Sequence, residues 1–167
     1  EHLDELRESG DSVGGVVECV ISGVPVGIGE PVFDKLQARL AYAMMSIPAA
    51  KSFEYGEGIR EAAMLGSEAN ILDDGISGGI STGADIRLRV AFKPTPSISR
   101  SQTAKRLHTD GTCEETTIEI HGRHDACVAL RAQAVVKAMA EIVIADEIEC
   151  GRTVESGKCG QSPKVES

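Results

Sequence analysis

The sequence predicts an α+β fold, a mostly antiparallel sheet with covering helices, and three observations predict it. Val16 to Ile21 is a β-branched run bounded by glycines, and Ile86, Leu88, Val90 and Phe92 alternate strictly with Asp85, Arg87, Arg89 and Ala91, the two signatures of buried and half-buried strands. Between and after these strands, two segments carry apolar residues three or four apart, the spacing of one helical face. At 167 residues with 41% hydrophobic side chains, one domain with a continuous core accommodates all of them.

Residues 1 to 12 are acidic and lack a sustained apolar face, so they form a short helical or extended lead-in that breaks at Gly10. The strand after it runs into a Gly-rich turn. From Pro31 to Ile47 the residues Val32, Leu36, Leu40, Ala43, Met44 and Ile47 share a helical face, with proline tolerated in the first turn and Pro48 as the stop. Ala49 to Tyr55 is a short strand, and Gly56 and Gly58 lead into a weaker helix from Ile59 to about Ser67. After the polar break at Asn70 to Gly75, the strand 86–92 finds its partner in a second alternating stretch, Glu115 to Ile120, across a long polar connection. Val128 to Ile148 is a strong helix. The domain thus spans 13–149, and 150–167, without period and rich in small polar residues, is a weakly packed or disordered tail.

Composition narrows the function. Aromatic residues make up 3% of the chain and Trp is absent, which disfavours stacking of nucleobases, and a net charge of -9 repels polyphosphate backbones. No nucleic acid is expected as a partner. Any anionic ligand must be captured by a local group of basic residues. The five cysteines include no CxxC pair, so no metal site is expected, and their odd number fits reduced thiols. No apolar run approaches the length of a membrane span, and a soluble, reducing compartment is the expectation.

Three segments carry candidate chemistry. Ser77 to Gly83, SGGISTG, offers uncluttered backbone N–H groups and the hydroxyls of Ser77, Ser81 and Thr82, although on glycine content alone a plain turn is the better reading because the P-loop lysine is missing. Lys93 to Ser97, KPTPS, sets a point charge and two hydroxyls on a stiff backbone; by itself it reads slightly better as a rigid exit loop. Gly122 to Ala132, GRHDACVALRA, brings Arg123, His124 and Asp125 together at the start of the last helix. There Arg123 suits an anion and Asp125 suits either a base or a helix cap with an Arg–Asp surface pair. Spacing leaves those readings balanced. His2, His108 and His121 receive no role, and Arg131 reads as a salt-bridge or interface residue.

Taken in order, GIGEPVFDKLQARLAYAMMSIPAAKSFEYGEG, GGISTG, RVAFKPTPSI and GRHDACVALRA closely resemble the C-terminal half of chorismate synthase over about Asp11 to Asp146. The resemblance implies a β-α-β sandwich-like fold, a homotetramer in the cytoplasm, and conversion of 5-enolpyruvylshikimate 3-phosphate to chorismate by trans 1,4-elimination of phosphate with reduced FMN. Some members reduce the flavin themselves with NADPH. It further implies FMN contacts at Pro48, Ala49, Gly78, Lys93, Pro94, Thr95, Pro96, Ser97, Arg123 and His124. Arg123 also helps to hold the substrate, and Asp125 is the carboxylate that manages the proton at flavin N5. The family's N-terminal half, with both histidines regarded as general acids, has no counterpart here, and the stretch before the Gly-rich turn is shortened to ILDDGIS. Ala126 and Ala134 replace the usual prolines. The resemblance therefore implies a fragment, inactive by itself, or alternatively a non-catalytic folding and oligomerisation module with residual FMN binding.

Overall fold

The computed structural model describes residues 2–120, 122 and 124–155. In chain order the main elements are α1 (His2–Glu8), β1 (Gly15–Ile21), α2 (Leu36–Met45) and β2 (Ala50–Tyr55). A 3-10 turn (Gly58–Ala63) and α3 (Gly66–Ala69) come next, followed by β3 (Ile76–Ser77), β4 (Ile80–Ser81), β5 (Ile86–Phe92), β6 (Gln102–Leu107), β7 (Cys113–Ile118) and α4 (Ala129–Glu155). This is an α+β fold of antiparallel sheets and helices, as the sequence predicts.

The alternation in β5 decides the architecture. Its residues Ile86, Leu88 and Val90 are fully buried and Phe92 nearly so, while Arg87 is exposed and Arg89 half-buried. A strand with one wholly apolar face belongs at the centre of a sheet covered on that side. β5 pairs antiparallel with β1 (Cys19 opposite Leu88) and with β2 (Phe53 opposite Val90), giving the order β1-β5-β2. Onto the buried face pack α2, through Leu36, Leu40, Ala43 and Met44, and α4, through Ala129, Ala132, Val136, Ala140 and Val143. Those α4 positions recur at three and four residues, so the helix presents small and β-branched side chains to the sheet and sets Val135 and Ile142 on its outer side.

Several sequence expectations need correction. Glu115 to Ile120 does not pair with β5: β7 pairs with β6 in a separate hairpin, Lys105 opposite Glu115. Both edges of β5 are already taken by β1 and β2, which add Val17, Cys19, Ala50 and Phe53 to its buried face, and an adjacent strand with a short turn closes at less entropic cost. The helix expected from Pro31 starts only at Leu36, because Val32 (φ 73°) and Asp34 (φ 45°) leave the right-handed region and the Leu36 N–H donates to Gly79 O at 2.9 Å. Val32 consequently lies exposed rather than on the buried face. The weaker helix from Ile59 resolves into the 3-10 turn and the single turn α3, neither of which buries a residue. Finally, α4 passes through Cys150 and continues to Glu155; Glu1, His121, Arg123 and residues 156–167 lie outside the described residues.

One buried carboxylate ties the helices together. Glu147 on α4 is 7% exposed and its Oε1 meets Arg39 Nε of α2 at 3.1 Å, with Asp146 also hydrogen-bonded to Arg39. Burial pushes the Glu147 carboxyl above the usual carboxylate range, and the neighbouring carboxylates of Asp146, Glu30 and Asp34 add to this against the pull of Arg39.

Candidate functional site

The segment between α1 and β1, Gly10 to Gly14, threads between two loops at one end of the sheet. On one side lies the loop leaving β5. Ser99 N–H donates to Gly10 O at 3.0 Å, and Ser12 Oγ donates to Thr95 O at 2.7 Å. On the other lies the turn entering α4, where Val13 N–H donates to Ala126 O at 2.8 Å and the Cys127 thiol faces Gly14 O at 3.8 Å. Gly14 has to be glycine for steric reasons: a Cβ there would sit 2.5 Å from Phe92 O.

A cleft of about 490 Å³ opens beside this junction, lined among others by Arg7, Asp11, Ser99, His124, Asp125 and Arg131. Asp125 is half-buried, and its Oδ1 meets Arg131 Nη2 at 3.1 Å. With Arg131 78% exposed, that pair contributes about 0.2–1 kcal/mol, so it orients the carboxylate more than it stabilises the fold. The helix-cap reading of Asp125 is overturned, because α4 begins at Ala129 and its cap position is therefore Val128. Arg131 is the salt-bridge residue the sequence suggests. His124 Nε2 lies 2.8 Å from Ile120 O; a carbonyl only accepts, so Nε2 carries the proton and Nδ1 faces elsewhere. Across the cleft, the Ser12 N–H and Arg100 hold the Asp11 carboxyl below its ordinary value.

The loops carrying the other expected residues adjoin this region. Lys93 N–H donates to Ala49 O at 3.0 Å, which sets Pro48 and Ala49, just beyond α2, against the start of the Lys93–Ser97 loop. Ala49 itself has φ 69°, an uncommon conformation for alanine. Lys93, Pro94 and Pro96 are exposed and Ser97 half-buried, whereas Thr95 Oγ1 is buried with no hydrogen-bond partner. Gly78 lies elsewhere. With Gly79 it forms the positive-φ turn of the β3–β4 hairpin, docked on the N-terminal end of α2, about 15 Å of helix away from Pro48. Arg123 lies outside the described residues.

Arg7, Asp11, Ser12, Ser99 and Arg100 were not legible as parts of this region. They come from an acidic lead-in and a polar connection, and the Asp11–Arg100 pair joins positions 89 residues apart with no local pattern to announce it.

Fold and cleft together define an α+β domain that presents a carboxylate, an imidazole and guanidinium groups at the junction of sheet edge and last helix. Comparison with known proteins makes this specific. The family model described as chorismate synthase matches residues 1–148. The chain is 43% identical over 169 residues to the chorismate synthase of Methylacidiphilum infernorum, covering 93% of this chain and 45% of that protein. It is 47% identical over 175 residues to the enzyme of Porphyromonas gingivalis, covering 96% and 46%. A crystal structure of chorismate synthase superposes with a TM-score of 0.66 at 29% identity, over 90% of this chain and 42% of the other. The chain belongs to the chorismate synthase family, and it spans about half the length of the curated relatives it matches.

Proposed function

We propose that this chain carries the flavin side of a chorismate synthase site, in which reduced FMN supports the trans 1,4-elimination of phosphate from 5-enolpyruvylshikimate 3-phosphate. The observation that supports it is the junction itself: in a chain of this family, Pro48–Ala49, Lys93–Ser97 and the turn with His124 and Asp125 are linked in succession by hydrogen bonds around one end of the sheet. The donor set fits the cofactor. Thr95 Oγ1, buried without an internal partner, is a polar atom a ligand would satisfy, and Lys93 and Ser97 add a cation and a hydroxyl suited to a phosphate.

When bound, reduced FMN supplies electron density that helps the phosphate leave and is then returned, so the reaction has no net redox change. Within this chain Lys93 brings positive charge to an anionic ligand, Thr95 and Ser97 orient it, and Asp125 takes and returns a proton. Arg123 belongs to the substrate clamp. A local concentration of such groups lets a chain of net charge -9 bind anions. We place the protein in the cytoplasm as a homotetramer, with NADPH as a source of reducing equivalents in members that reduce their own flavin; among the described residues, no helix is long and apolar enough to cross a membrane.

The general acids belong to a part of the site not represented in this chain, so the chain binds FMN and does not turn over alone. Fluorescence titration checks the first half: FMN binds, and Lys93→Ala weakens it about 10-fold, the loss of one charge-assisted hydrogen bond. An unchanged affinity in Lys93→Ala sinks the assignment of that loop. Anaerobic assay of phosphate release checks the second half, and turnover by this chain alone overturns it. A second reading, a folding and oligomerisation module with residual FMN binding, is favoured by Val16 and Val20 on the outer sheet face and Ile142 on α4, which are exposed in the single chain. Sedimentation showing a stable oligomer, with FMN bound only weakly and no less tightly in Lys93→Ala, selects it.

A further inference from the structure

We infer that Gly10–Gly14 is a strap that sets the position of the Lys93–Ser97 loop relative to the Asp125 turn, with Ser12 as its positioning residue. The inference rests on the flavin-site reading for its functional meaning, but its geometry stands separately. Among the described residues, one main-chain hydrogen bond joins the two flanking regions directly, Ile120 N–H to Ile98 O at 3.3 Å, near the upper limit of such a bond. The shorter links run through the strap. Gly10 O and the Ser12 hydroxyl hold the loop at Ser99 and Thr95, and Val13 N–H holds the turn at Ala126.

The strap is itself anchored on both sides of Ser12. Asp11 Oδ2 pairs with Arg100 Nη1 at 2.7 Å, and its Oδ1 accepts the Ser12 N–H at 2.8 Å, which fixes the residue from which the hydroxyl projects. At the far end, the close approach of Gly14 to Phe92 O leaves no room for a side chain. Two side chains link the strap to this loop, Asp11 to Arg100 and Ser12 to Thr95; the Ser12 hydroxyl is the one that reaches Thr95, and it can be removed without disturbing hydrogen bonds between main-chain groups. With the Thr95 carbonyl held by Ser12, one residue has its main chain tied to the protein and a buried side-chain hydroxyl that lacks a hydrogen-bond partner.

The test uses the full chain and two readouts. By amide hydrogen exchange with mass spectrometry, Ser12→Ala speeds exchange about 5-fold in peptides over both 93–99 and 122–127 and leaves β5 unchanged, and Ser12→Thr restores the wild-type rates. In FMN titration, Ser12→Ala weakens binding about 5-fold and Ser12→Thr recovers it, the scale of one hydrogen bond. Faster exchange confined to 93–99, or no recovery in Ser12→Thr, overturns the strap. Should Ser12→Ala lower protection across the whole chain, Asp11→Asn supplies the second variant: the strap requires both loops to loosen, and unchanged exchange there overturns it. Coupled loosening in a wild-type background that does not bind FMN supports the strap as a structural device and sinks the flavin reading instead.

Discussion

Two antiparallel ladders in this molecule differ in nearly everything except their hydrogen bonding. β1 and β5 pair over seven residues, and β6 and β7 pair over six, each in unbroken register. Yet β5 buries Ile86, Leu88 and Val90 completely beneath α2 and α4, whereas in the β6–β7 hairpin only Gln102, Ala104 and Thr116 are even half-buried, and Leu107 is 71% exposed. The difference teaches that register is set by main-chain pairing, while stability comes from what covers one face. A two-stranded ribbon without a packed face is marginal in water. The central sheet is the scaffold that fixes the site; the hairpin is a charged arm, with Lys105 opposite Glu115 and Arg106 Nη1 paired to Glu114 at 3.3 Å.

Replacing a side chain at the centre of the covered face gives the largest effect. Leu88→Ala removes a fully buried group between helices and sheet and costs about 2–5 kcal/mol, read as a lower urea midpoint. A loss under about 1 kcal/mol breaks the contrast at its strong end. The tie between the covering helices ranks next and carries a pH signature. Because burial raises the Glu147 carboxyl in the fold, the charged form is disfavoured there. The contribution of Glu147 is therefore fullest below the ordinary value of 4.5 and is lost as pH rises through the raised folded value. Glu147→Gln, measured against the parent by urea denaturation, gains relative stability as pH rises from 4 to 7; a difference that does not move with pH contradicts this. At the weak end, Leu107→Ala and Ile118→Ala, both on the exposed hairpin, shift stability by no more than about 0.5 kcal/mol. A larger loss means that the arm is covered in the protein's assembled state.

The same comparison shows why the strand pairing was misread from sequence. Ile86–Phe92 and Glu115–Ile120 both alternate, and alternation reports a face without saying which strand lies beside it. The helices were legible where apolar spacing coincided with packing, as at Leu36, Leu40 and Met44, and illegible at Val32, where the docked β3–β4 hairpin pulls the chain out of helical geometry. The site divides in the same way. His124 and Asp125 do line one cleft and Lys93 does meet Ala49, but Gly78 stands at the opposite end of α2.

By itself the sequence determined the two long helices, the strand β5 with its buried face, and the family, because local period and ordered motifs are written in neighbouring residues. Only the tertiary structure decided which strands pair, that Arg131 orients Asp125, and that Ser12 reaches across 83 positions to Thr95. Those outcomes depend on which long-range contacts repay the entropy of closing the chain, and no short segment encodes that competition.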